Sequence, residues 1–117
     1  MFIALVILTA LLALVAVNSA VMKLRKDERV VDVIHGTVGV PLRFLPVLAA
    51  LEIAGALGIV AGLWVEALGI AAAAGLTAYF VGAVLSHLRV KDMKGLAMPL
   101  VPLALSIAVL VLRIATA

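Results

Sequence analysis

Four stretches of this chain are each long enough and apolar enough to cross a lipid bilayer. A spanning helix needs about 20 mostly apolar residues. The four candidates run from Met1 to Met22, from about Phe44 to Val65, from Ala67 to about Leu88, and from about Leu96 to Ile114. In hydrocarbon every backbone N–H and C=O must be satisfied within the chain, which leaves helices or a closed barrel. Runs of this length predict an all-α integral membrane protein, 1–117 as a single membrane domain, with four transmembrane helices in an up-down bundle. Composition agrees: 68% of the 117 residues are hydrophobic and 13% are charged. That leaves too little polar surface to cover a soluble core.

The first run ends in Asn18-Ser19-Ala20, followed at once by basic residues, and lacks a basic leading region. These features predict an uncleaved span rather than a signal peptide. Pro99 and Pro102 open the fourth run, where a helix start tolerates a missing N–H.

Charge sets the expected orientation. Lys23, Arg25, Lys26, Arg29 and Arg43 lie between the first two spans, and Arg89, Lys91 and Lys94 between the last two. The opposite side carries only Arg113 among the lysines and arginines, with Glu66 in the turn between spans two and three. The positive-inside rule then places both basic loops in the cytoplasm and both termini outside. The net charge of +3 thus reads as topology, not nucleic-acid binding. Trp64 falls at the outer end of span two, an interfacial position. In the first loop, Val30, Val31 and Ile34 share one helical face, the pattern of a short interfacial helix; a solvated loop is the competing reading.

Packing signals are concentrated in spans two and three. Gly58 and Gly62 form a GxxxG, preceded by Gly55, and span three carries Gly69, Gly75 and Gly82 among alanines. Small residues let helices approach closely in lipid. Gly55, Gly58, Gly62, Gly75 and Gly82 are therefore expected at helix contacts, within the chain or in a homo-oligomer.

Glu52 carries the strongest functional signal. It is the one charge between Arg43 and Glu66, and a carboxylate at bilayer depth costs about 2.5 to 3.5 kcal/mol on insertion scales. It sits eight residues past Phe44, about 12 Å along the helix at 1.5 Å per residue. The expected topology places Asn18, Ser19, Lys23, Glu52 and His87 in the same half of the bilayer, on three helices. They form a candidate group for ligand binding or proton handling. Each has a structural role available as well: Lys23 as a snorkelling anchor, Asn18 and Ser19 as interhelical hydrogen-bond groups, His87 as an interfacial residue. Phe80, Ala83 and Val84 share the His87 face, as pocket wall or as bundle core.

Several chemistries find no support. The absence of cysteine removes disulfide exchange and thiolate ligation. His35 and His87 are the only histidines, so a bis-His haem would need one ligand from a loop. A zinc or di-iron site needs more ligands than Glu52 and His87 supply. No metal site, intrinsic cofactor, nucleotide loop or catalytic triad is expected.

Taken in order, Lys23-Leu24 after a small-residue first span, Gly39-Val40-Pro41, Leu51-Glu52-Ile53-Ala54-Gly55-Ala56-Leu57-Gly58, and Gly82-Ala83-Val84-Leu85-Ser86-His87 resemble the DoxX and DoxX-like family of small four-span membrane proteins. The resemblance covers nearly the whole chain. It implies a four-helix membrane fold with Lys23, Glu52 and His87 as the polar signature, in a bacterial-type plasma membrane. The family takes its name from a subunit associated with thiosulfate:quinone oxidoreductase, and distant relatives act as assembly factors. The implied role is an accessory or binding subunit of a quinone-linked redox system, not an enzyme alone, with a quinone or lipid-like ligand in a polar pocket. A structural or assembly partner of another membrane protein is the alternative, and a small transporter or proton relay is a third reading. Beyond the bilayer, a membrane protein partner or a second copy is the expected company.

Overall fold

A computed structural model describes residues 2–116, so the expected start of the first span at Met1 lies outside them. The chain forms α1 (Phe2–Leu24), a short α2 (Glu28–Val31), α3 (Leu45–Ala61), α4 (Glu66–Arg89) and α5 (Ala97–Ala115). Asp32–Thr37 continues α2 as a π-helical turn, and single 3₁₀ turns lead into α3 and α5. The long axis measures 41 Å, enough to cross a hydrocarbon core of about 30 Å. α1, α3, α4 and α5 are the spanning helices.

Each spanning helix buries one narrow seam. In α1 it is Leu5, Thr9, Leu12, Ala16, Ala20 and Lys23. In α3 it is Leu45, Ala49, Glu52, Ala56 and Ile59. In α4 it is Gly69, Ala73, Leu76, Phe80 and His87, and in α5 Pro99, Pro102, Ser106 and Val109. Steps of three and four residues, with one step of seven from Phe80 to His87, are the spacing of a coiled-coil seam. Around the bundle the neighbours run α1, α3, α4, α5 and back to α1, so α1 and α4 face one another diagonally.

The closest approach is between α3 and α4. A Cβ on Gly62 would strike the Gly69 backbone, one on Gly58 would meet Ala72 Cβ at 2.6 Å, and one on Gly55 would meet Leu76 Cγ at 2.6 Å. Gly75 and Gly82 behave otherwise: a Cβ there meets nothing within 4 Å. Both lie on exposed parts of α4, off its buried seam, so neither packs against another helix among the described residues. Pro102 also departs from expectation. It lies inside α5 rather than in its first turn, where it removes a backbone donor.

The basic loops are ordered by their own caps. Lys26 and Lys91 adopt left-handed conformations, with φ of 53° and 56°. The following amides reach back, Asp27 N to Met22 O at 3.0 Å and Asp92 N to His87 O at 2.9 Å. This is the Schellman closure, normally built on glycine. Asp27 then caps α2 by accepting from Arg29 N at 3.0 Å. At the opposite end Trp64 is exposed, and Arg113 Nε donates to Gly62 O at 3.1 Å, closing the end of α3 from α5.

Candidate functional site

Lys23 and Glu52 occupy seam positions on adjacent helices, and this brings them together. Lys23 Nζ lies 2.5 Å from Glu52 Oε1, with side-chain exposures of 8% and 0%. Ser19, one turn back on α1, completes the group. Lys23 Nζ donates to Ser19 Oγ at 2.6 Å, and Ser19 Oγ donates to Glu52 Oε1 at 3.3 Å. Two of the three ammonium protons are thereby used. Removing two charges from water is costly, and mutual attraction with added hydrogen bonds is what offsets it. One loose end remains: Glu52 Oε2 is buried with no hydrogen-bond partner among the described residues. Tyr79 on α4 stands beside this carboxylate, its ring meeting Phe80 edge-on at 5.0 Å.

His87 lies on a different helix and has a different partner. Its Nδ1 is 2.8 Å from Asp92 Oδ2, and its side chain is 8% exposed. The Asp92 carboxylate is held in turn, because Oδ1 accepts from Gly95 N at 3.1 Å. The His87 hydrogen bond, helped by the Gly95 amide, keeps the Asp92 carboxyl below the usual carboxylate range.

A cavity of about 410 Å³ joins the two groups. Ser19 and Lys23 line it from α1; Tyr79, Phe80, Gly82, Ala83 and His87 line it from α4; Pro99 and Pro102 line it from α5. Ile34, Val38 and Val40 form its roof. Expected as a short interfacial helix or a solvated loop, this segment is helical from Glu28 to Thr37 and buries Val30 and Val38. Arg89 Nη2 pins it by donating to Val38 O at 3.1 Å. Gly39, with φ of 86°, supplies a left-handed turn that a β-carbon disfavours.

Not every candidate enters this group. Asn18 is exposed, its Nδ2 3.6 Å from Met22 Sδ. It lies off the Ala16–Ala20–Lys23 seam, so it faces away from the group that Ser19 joins. Glu52 does not line the cavity; it stands behind Lys23. Val84 is likewise absent from the wall, whereas Phe80 and Ala83 form part of it. Two participants escaped sequence reasoning. Asp92 counted only as part of a basic loop, although Asp92-Met93-Lys94-Gly95 is a turn signal. Tyr79 is the single tyrosine of the chain and lies in mid-span, which was the available clue.

Among curated proteins and among solved structures, nothing matches the chain. The model of the DoxX-like family matches residues 7–109, a stretch that holds all four apolar helices' seams from Thr9 onward together with Lys23, Glu52, His87 and Asp92. The protein, an integral membrane four-helix bundle, belongs to the DoxX-like family.

Proposed function

We propose that the protein is a binding or accessory subunit of a quinone-linked membrane redox system, and that its cavity receives the polar head of a quinone or comparable lipid-like molecule. The observation that carries this reading is one apolar-walled cavity with a cation at one wall and an imidazole at another. Its 410 Å³ falls within the range of small-molecule sites, roughly 300–1,000 Å³. Lys23 retains one ammonium proton for an oxygen of the ligand, and His87 offers a ring nitrogen. Glu52 acts at one remove, fixing Lys23 and Ser19. The quinone carries the redox chemistry, and the chain supplies binding, orientation and electrostatics. By the charge rule this end of the bundle faces the cytoplasm.

Native mass spectrometry of the protein released from its own membranes tests the proposal. A co-purifying quinone or lipid is expected in the wild type. Gly82→Leu is expected to abolish it, because a side chain at that position meets open space at the cavity wall. Undiminished occupancy in Gly82→Leu would place the ligand elsewhere.

A second reading rests on a separate observation. Gly75 on α4 is exposed, and a side chain there would meet nothing within 4 Å among the described residues, a position suited to a helix of another membrane protein or of a second copy. Crosslinking in the native membrane distinguishes the two. One stoichiometric partner at Gly75 with no retained small molecule favours a structural or assembly role.

A further inference from the structure

We propose that Asp92 is a positioning residue that holds His87 as a hydrogen-bond acceptor toward the cavity, so that the site selects the hydroxyl-bearing, reduced form of a quinone-type head over the carbonyl form. This rests on the reading of the cavity as a ligand site.

The geometry runs through the ring. Asp92 Oδ2 is 2.8 Å from His87 Nδ1, and an ionised carboxylate can only accept. The proton of a neutral imidazole must therefore sit on Nδ1. That leaves Nε2, on the far side of the ring, with a lone pair, and His87 lines the cavity. The carboxylate cannot easily turn away. Its other oxygen accepts from Gly95 N at 3.1 Å, and the space beside Gly95 is filled by the pair itself: a Cβ there would run into Asp92 Oδ2 and lie 2.9 Å from His87 Nδ1. Partner choice thus fixes the tautomer, as it does for histidines held by a carboxylate in general.

The other charged and titratable groups at the cavity complement an acceptor at this point. Lys23 from α1 is a donor. Tyr79 shares α4 with His87, and Glu52 on α3 is tied to Lys23. Arg89 is committed to Val38 O. A quinol can donate its hydroxyl to Nε2 and accept from Lys23 through its other oxygen. A quinone presents carbonyl lone pairs at both ends and would oppose one of them to the lone pair of Nε2.

Two measurements on the full chain in detergent micelles test this. The first is ¹⁵N NMR of histidine-labelled protein at a pH that keeps the imidazole neutral, with His87 assigned by His87→Gln. The wild type is expected to show protonated Nδ1 and bare Nε2. In Asp92→Asn the amide can donate to Nδ1 instead, and the opposite tautomer is expected to appear. Gly95→Ala, which pushes the carboxylate off the ring without changing any titratable group, is expected to populate both. The second measurement is binding of a short-chain benzoquinone and of its dithionite-reduced quinol. The wild type is expected to bind the quinol about tenfold more tightly, a preference lost in both variants. A wild-type imidazole protonated at Nε2, or an unchanged quinol preference in Asp92→Asn, would overturn the proposal. Binding of neither form, with Nδ1 still protonated, would overturn the hydroxyl selection together with the ligand reading, and leave the tautomer assignment standing.

Discussion

At the scale of single residues, the buried charges are coupled rather than separately placed. Glu52 is fully buried and holds Lys23 through one oxygen, so each residue is tolerated because of the other. Removing one partner of a buried pair leaves an uncompensated charge and costs about 3–5 kcal/mol, whereas replacing both by apolar groups is often near neutral. Glu52→Leu and Lys23→Met are each expected to lose stability on that scale in denaturant-induced unfolding in mixed micelles. The double variant should lose far less than the sum of the two losses, and strict additivity would show that the pair is not coupled. Asp92 gives a pH-dependent counterpart. Its folded carboxyl lies below the usual value of 3.8, so the unfolded chain binds more protons across that interval. Stability from the His87–Asp92 contact is therefore present above the unfolded value and lost as pH falls through the folded one. The stability difference between wild type and Asp92→Asn should shrink as pH falls below about 4. Thermal unfolding of both proteins across that range checks it.

Among elements, α3 and α4 depend on glycine only where their backbones meet. Gly62 packs onto Gly69, whereas Gly75 faces open space. Gly62→Leu is expected to cost about 2 kcal/mol or more by overpacking. Gly75→Ala is expected to be neutral or to gain about 0.5–1 kcal/mol, since glycine weakens a helix interior. Unfolding midpoints of the two variants decide this, and a destabilising Gly75→Ala would reveal a partner on that face. Sequence spacing identified both glycines as packing candidates but could not separate them, because a GxxxG-type pattern does not say which helix face meets a neighbour. The turns after α1 and α4 show a similar gap. Lys26-Asp27 and Lys91-Asp92 each place lysine in a left-handed cap and aspartate just beyond it. The repeated dipeptide was visible in the chain, but lysine in a left-handed cap is not a standard stop signal, so the role of Asp92 stayed hidden.

For the whole molecule, the arrangement puts Lys23, His87 and the roof segment at one end of the bundle and Arg113 with the Gly62 turn at the other. The natural chain has no cysteine, so single cysteines report sidedness cleanly. Lys26→Cys and Lys91→Cys are expected to react from the cytoplasmic side, and Glu66→Cys from the opposite side. Labelling of Lys26→Cys and Lys91→Cys from opposite faces would break the four-span topology.

The sequence by itself determined the number of spans, the helical class, the tight turn after span two and the fact that Lys23, Ser19, Glu52 and His87 share one end of the bundle. These follow from hydrocarbon thickness, backbone hydrogen bonding and the distribution of charge. Only the tertiary structure decided which face of each helix turns inward, because in lipid the outer face is about as apolar as the inner one and hydropathy carries little periodic signal. That choice put Asn18 outside and Ser19 inside, though they are adjacent. It set Glu52 behind Lys23 instead of at the cavity wall, and it joined His87 to Asp92, five residues further on, through the turn that follows α4.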